Sequence, residues 1–260
     1  MTVEQALHKS FTISVNVHGS SVELKTVSAE RLVGRYAYGS YMPIGVERIM
    51  RLLQKHKIRA TFFVPGAEAR MKASLVREIV AAGHEVAAHG DALEDHSTLG
   101  DAEADVLKRA HDSISAVIGA APVGWRAPDG MFSKQTIPLL AGMGYLYDSS
   151  FQDDDFPYSL APEGGGKMIE VPQNEMLIDQ VFFAIRQTHD RVLKNWTEEF
   201  DGANAAGCFS CMTLHPRQDY GVARASRIDM LDAFITHVSQ TPGVTFRTCA
   251  EAAQLAAVKL

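Results

Sequence analysis

Short apolar runs recur along the chain, separated by stretches in which apolar residues return every three or four positions. The runs at residues 12–17, 60–64, 85–89, 124–127, 145–147, 169–171, 207–214 and 244–248 have the length and bounding turns of buried strands. Between them, residues 45–56 space Val46, Ile49, Met50 and Leu53 along one helical face, and residues 72–82 do the same with Leu75, Val76, Ile79 and Val80. Residues 226–240 repeat the pattern with Ile228, Leu231, Phe234, Ile235 and Val238, and residues 101–118 form a more polar helix ending near Gly119, a natural terminating residue. Strands alternating with helices predict an α/β fold with a parallel sheet, and seven or eight strands predict that the sheet curls into a barrel. No repeat, linker or second domain is legible, so one catalytic domain is expected over residues 1–260.

Composition narrows the function classes. With 46% hydrophobic residues the 260-residue chain can bury a large core. Its formal charge of -6, without clustered Lys or Arg, gives no footprint for nucleic acid or an acidic membrane surface. The first ten residues contain Glu4, Gln5, His8 and Lys9 and no apolar stretch, so a cytoplasmic protein is expected. Three cysteines argue against a disulfide framework. Cys208 and Cys211 lie three apart in an apolar run, where strand geometry points them to opposite faces, and no second such pair exists, so both read as core cysteines.

In a barrel of this kind, functional groups gather at the C-terminal ends of the strands. Asn16, His18, His89, Arg126, Asp148 and His215 all fall at or just past such ends, which predicts one shared pocket. His8, His56, His84, His111, His189 and His237 lie on helices or their ends and read as surface residues. The loops at 152–156 and at Gly164, Gly165 and Gly166 are expected over the mouth of the site. An apolar patch at 36–42 reads as a subunit contact in a homo-oligomer or as a pocket lid.

The motifs themselves resemble those of the polysaccharide deacetylase family, carbohydrate esterase family 4. Gly45 to Gly66 is similar to the family's first helix and second strand, and Ile79 to Gly90 to the next helix and its histidine-bearing strand. Trp125-Arg126-Ala127-Pro128-Asp129-Gly130 matches an Arg-x-Pro-x-Gly element, and Leu214-His215-Pro216 matches the motif holding the catalytic acid. The resemblance implies a distorted (β/α)7-type, TIM-like barrel and hydrolysis of a carbon–nitrogen bond. Family members usually hold a divalent metal through an aspartate and two histidines, with a second aspartate as base.

This chain departs from that pattern. The paired acids fall on Asn16 and His18, and the second histidine of the metal motif falls on Leu93. An amide does not titrate near neutrality and a leucine ligates nothing, which leaves His18 and His89 as the matching ligands for a zinc site that ordinarily needs three. Asp91, Glu94 or His96 would have to supply the third. The departures are similar to those of the allantoinase-like and cyclic-imide-hydrolase-like branch, whose members resemble the deacetylases in fold but open small cyclic amides without the metal. That resemblance implies no cofactor and a small-molecule cyclic imide, allantoin or ureide as substrate, since an imide nitrogen leaves more readily than that of an acetamide.

On this reading His18 or His89 activates the water as a neutral imidazole, and His215 protonates the departing nitrogen. Asp148 is expected to hold His215 or Arg126, while Arg126 orients a carboxylate or binds a substrate carbonyl. The segment from Ile169 to Asp179 resembles one that lines the family's pocket, which makes Asp179 a candidate substrate contact, and Trp125, Pro128 and Phe183 are expected to wall the pocket. The alternatives are a metal-dependent N-deacetylase of an acetylated sugar, with zinc at a rebuilt site, and an inactive member that binds a ligand.

Overall fold

The computed structural model describes residues 7–34, 37–161 and 167–259. Every predicted apolar run contributes a strand. In chain order these are β1 (Ser10–Asn16), β2 (Thr61–Val64), β3 (Glu85–Ala88), β4 (Gly124–Trp125), β5 (Tyr147–Asp148), β7 (Met168–Glu170), β8 (Ser210–Leu214) and β9 (Thr245–Arg247). A further short strand, β6 (Tyr158–Leu160), pairs antiparallel with β7 and covers that edge. The sheet order is β6-β7-β5-β4-β3-β2-β1-β8, parallel apart from β6, with β9 beside the first residues of β1. The result is a curled half-barrel surrounded by helices. At its seam the segment after β7 leans on β8, where Asn174 N donates to Cys211 O at 3.2 Å and Ile178 bridges Thr213.

The sequence of β1 explains which face became the site. All seven of its residues are buried although polar and apolar side chains alternate, as expected when a parallel sheet is covered on both sides. Phe11, Ile13 and Val15 join the large core between sheet and helices. Successive side chains on a strand point oppositely, so Thr12, Ser14 and Asn16 face the barrel interior. A second core, including Phe63, Tyr147, Cys211, Cys249, Ala252 and Ala253, joins the interior to the C-terminal helix.

The helices are α1 (Ser21–Leu24), α2 (Met42–His56), α3 (Gly66–Met71), α4 (Ala73–Ala81), α5 (Glu103–Ile118), α6 (Thr136–Gly142), α7 (Asp179–Phe183), α8 (His189–Ala206), α9 (Ala225–Gln240) and α10 (Cys249–Lys259). The four predicted ones are α2, α4, α5 and α9, and α5 stops where expected, on Gly119 at φ 75°. Helix α8 escaped prediction because it buries only Val192, Trp196 and Phe200, a stripe one residue wide. No helix among the described residues is long and apolar enough to cross a membrane.

Some expectations need correction. His84 is buried, its Nδ1 accepting from Ala60 N at 3.2 Å, because it lies between the turn at residues 82–83 and β3. Cys208 precedes β8 and is only partly buried, so Cys211 and Cys249 are the core thiols. The Gly164, Gly165 and Gly166 loop and Tyr36 lie outside the described residues, and Met42, at the end of the expected apolar patch, is wholly buried.

Two glycines permit the close packing around the last motif. A Cβ at Gly45 in α2 would lie 2.2 Å from Pro216 O, and one at Gly221 would lie 2.1 Å from His215 O. Gly45→Ala should therefore destabilise the fold by about 1–3 kcal/mol and also lower kcat, because the backbone that must yield carries His215. Denaturant unfolding and steady-state kinetics on the same preparation check this, and a stability loss without loss of turnover would show that the displacement stops short of the site.

Candidate active site

Strand ends bring the chemistry together. Asn16 closes β1 and His18 follows two residues later, His89 and Arg126 directly follow β3 and β4, and His215 directly follows β8. All five line one cavity of about 470 Å³, together with Thr213, Gln152, Gln173, Glu175 and Gln180.

His215 is the most firmly placed of these. Its Nδ1 lies 2.6 Å from Asp179 Oδ1, while Asp179 Oδ2 accepts from His215 N at 2.8 Å and from Val222 N at 2.7 Å. A carboxylate accepts only, so Nδ1 carries the proton and Nε2 presents a lone pair. That lone pair faces the cavity, where Asn16 Nδ2 donates to it at 3.2 Å. Asp179 thus stands behind His215 as its orienting carboxylate, wholly buried at the start of α7 and outside the cavity lining, where a substrate contact was expected. Asp148 does not fill that role. It accepts from Ser150 Oγ at 2.7 Å and sits opposite Glu170 on the neighbouring strand.

Arg126 holds no carboxylate either. Its buried guanidinium donates from Nε to Ser149 O at 2.7 Å, from Nη1 to Asn16 Oδ1 at 2.8 Å and Ser14 Oγ at 3.0 Å, and from Nη2 to Ser149 Oγ at 2.8 Å. Its plane lies over the Phe63 ring, 3.9 Å from the centroid. Arg126 therefore orients an amide: with Oδ1 taken, Asn16 can only turn its N–H groups to His215 and the cavity. The balancing charge is indirect. Asp148 and Glu170 are both fully buried, and burial raises both carboxyls, with the neighbouring Asp148 charge pushing Glu170 up further and strongly. Two buried carboxyls on adjacent strands resist ionising together, which favours one negative charge on the pair.

The other two histidines form a closed chain. His89 Nδ1 donates to Arg126 O at 2.9 Å, so its Nε2 is an acceptor. His18 Nε2 lies 3.0 Å from that nitrogen and must donate to it, and Tyr220 Oη, 2.9 Å away, then donates to His18 Nδ1. Burial, reinforced by the nearby His215, holds His18 well below the usual imidazole range, and burial pulls His89 down to about 3. The lone pairs of His18 and His89 are both spent inside this chain, whereas the Nε2 lone pair of His215 opens on the cavity and is shared only with the Asn16 amide, which favours His215 over His18 and His89 as the imidazole base.

These neutral imidazoles bear on stability. His18, His84, His89 and His96 are all lowered by burial from an ordinary value of 6.5. Below pH 6.5 the unfolded chain takes up protons that the folded one refuses, so stability is full above that pH and falls as pH drops toward 3. Each such group adds a slope of up to about 1.4 kcal/mol per pH unit. Unfolding free energies measured between pH 7.5 and 5 should decrease steadily. A flat profile would contradict the neutral assignments.

The expected pocket walls are misplaced in part. Trp125 is wholly buried in the core facing the helices, because the side chain before Arg126 on β4 points away from the interior. Pro128 packs over Gly90, where a Cβ would come within 2.9 Å of the proline ring, and it does not line the cavity. Phe183 points from α7 toward Arg227, which stacks on it at 4.0 Å, and borders a neighbouring cavity instead. The loop at 152–156 does reach the mouth, with Gln152 in the site cavity and Asp153, Asp154 and Asp155 in an adjoining one.

Comparison with known proteins fits this architecture. Residues 36–147 match the polysaccharide deacetylase family. The chain is 29% identical to the peptidoglycan deacetylase of Helicobacter pylori over 246 residues, 81% of this chain and 83% of that protein. It superposes on a crystal structure of a putative polysaccharide deacetylase from Mycobacterium smegmatis with a TM-score of 0.90 and 29% identity, covering 98% of this chain and 92% of that one. The match and the superposition together give this chain a polysaccharide deacetylase-like fold. The Puue allantoinase shares the polysaccharide deacetylase fold at a TM-score of 0.82 and 21% identity, covering 96% of this chain and 90% of that one.

The family implies a divalent metal, but the donor set present does not fit one. His18 and His89 hydrogen-bond to each other, and the third family position is Leu93, buried and at φ 61°. None of the expected substitutes replaces it. Asp91 is held by Arg70 at 2.6 Å and Arg109 at 2.7 Å, Glu94 accepts from Asp91 N and Ala92 N, and His96 is buried edge-on against Trp125, outside the cavity lining. Among the described residues no three His, Cys, Asp or Glu side chains gather into a group that would hold a metal ion.

Four site residues were missed in the sequence: Ser14, Gln173, Thr213 and Tyr220. Ser14 and Thr213 each stand two residues before a predicted site residue on a strand, hence on the same face, and that spacing was the available signal. Gln173 and Tyr220 come from loops without such a register.

Proposed function

We propose that this amide hydrolase of the polysaccharide deacetylase family opens a small cyclic imide, allantoin or related ureide with His215, Asp179 and Asn16 as its working groups. The observation that carries the reading is the direction of hydrogen bonding at His215. Asp179 fixes the proton on Nδ1, and the Nε2 lone pair faces the cavity beside an amide donor.

Water takes the place of the Asn16 N–H at Nε2 and adds to a ring carbonyl while His215 takes its proton. The carbonyl oxygen, now negative, receives an N–H of Asn16, which Arg126 holds in that orientation. The imidazolium then gives its proton to the ring nitrogen as the carbon–nitrogen bond breaks, leaving a carboxylic acid and an amide in one opened molecule. His215 thus acts as base and then as acid. His18 and His89 stay neutral and add no repulsion when His215 becomes charged. Amide donors alone offer modest help to the oxyanion, which suits an imide, whose leaving nitrogen remains conjugated to a second carbonyl.

A second reading, N-deacetylation of an acetylated sugar, is favoured by the name of the Helicobacter pylori relative. Assays on succinimide, allantoin and chitooligosaccharides separate the two. Ring opening that His215→Ala abolishes supports the first, whereas acetate release from the sugar with no ring opened would overturn it.

A further inference from the structure

We propose that Gln173 and Asn16 form a paired amide clamp for the two carbonyl oxygens of an uncharged O=C–N–C=O unit, which makes Gln173 a specificity-determining residue. The inference deepens the ring-opening reading and rests on it for the identity of the unit.

The argument begins at Arg126, a donor that cannot accept. Its Nη1 donates to Asn16 Oδ1 at 2.8 Å and to Ser14 Oγ at 3.0 Å, and reaches Thr213 Oγ1 at 3.4 Å. Ser14 spends its own proton on Met212 O at 3.1 Å. Thr213, approached by Arg126, sends its proton outward to Gln173 Oε1 at 2.8 Å. One buried guanidinium therefore turns two amides the same way, with both oxygens toward the barrel wall and both nitrogens left over. Asn16 Nδ2 has one N–H on His215 and a second unclaimed, and Gln173 Nε2 has no partner among the described residues.

Both amides line the cavity that holds His215 Nε2. Two N–H donors beside one base match a unit with two carbonyl acceptors flanking a nitrogen: one carbonyl is attacked at Asn16, and the other is held at Gln173. The charge of the wall agrees. Among the described residues its one permanent cation is Arg126, buried and spent on protein acceptors, while Asp129 and Glu175 line the same cavity. None of these lining groups would hold a carboxylate or phosphate.

The test compares succinimide with 2-pyrrolidinone, the same ring with one carbonyl replaced by CH2, binding to His215→Ala protein so that hydrolysis does not intervene. Succinimide is expected to bind about tenfold or more tightly than the lactam, because the lactam leaves a donor unpaired. Gln173→Leu should collapse that preference to within about threefold by weakening succinimide alone, and Thr213→Val, which leaves Gln173 in place but unoriented, should reduce it part-way. Equal affinity for the two rings in the parent, or equal weakening of both by Gln173→Leu, would overturn the clamp. Retained preference in a wild-type protein that opens no ring would sustain the clamp and remove the catalytic reading, so the two failures are distinguishable.

Discussion

Asp179→Asn is expected to lower kcat on the ring substrate by about 10³-fold or more, with KM within a few-fold of wild type. The carboxylate accepts from His215 Nδ1, His215 N and Val222 N. An asparagine can satisfy the backbone donors with its oxygen, which leaves its NH2 facing Nδ1. The imidazole then moves its proton to Nε2 and loses the lone pair that accepts from water. His215→Ala should be about as damaging, and the double variant no worse than the worse single one, because the two side chains act as a unit. A loss under about tenfold for Asp179→Asn would show that His215 does not act through its Nε2 lone pair.

Arg126 carries the second large effect. Arg126→Met is expected to destabilise the protein by about 3–5 kcal/mol and to abolish measurable turnover. Removal strands the Ser149 carbonyl and the Asn16 amide oxygen in a buried site, frees Asn16 to rotate, and leaves the Asp148 and Glu170 pair with an uncompensated charge. Arg126→Lys should be nearly as severe, since one ammonium cannot reach Ser149, Ser14 and Asn16 together. A double-mutant cycle isolates the charge component: adding Glu170→Gln to Arg126→Met should restore part of the stability while turnover stays absent. Stability losses that simply add would contradict the assigned charge balance.

The barrel was legible because buried parallel strands are apolar runs in any context, and the eight predicted runs all became strands. The strand-end rule also anticipated that Asn16, His18, His89, Arg126 and His215 line one cavity, since their positions follow from chain geometry alone. Partnerships were harder to read. Asp148 stands at a strand end as Asp179 does not, yet Asp179 reaches His215 because the segment after β7 folds back along β8 and starts α7 there. Nothing local in residues 171–179 signals that return. Roles were harder still, because the base assignment turns on which nitrogen of each histidine bears a proton. Only the Arg126 carbonyl under His89 and the Tyr220 hydroxyl beside His18 decide it, and both come from distant parts of the chain.

Asn16 and Leu93 mark where the family's base and third ligand would stand, and in the folded protein Asn16 has become the amide beside His215 while Leu93 is packed away. The proposed chemistry therefore runs on protein groups alone. The measurement that bears on it most directly is succinimide ring opening by chelator-treated enzyme whose metal content is determined on the same sample. Unchanged kcat in protein holding far less than one metal per chain is the expected result, with His215→Ala inactive under the same conditions. Activity that disappears with the metal and returns when zinc is added would contradict it.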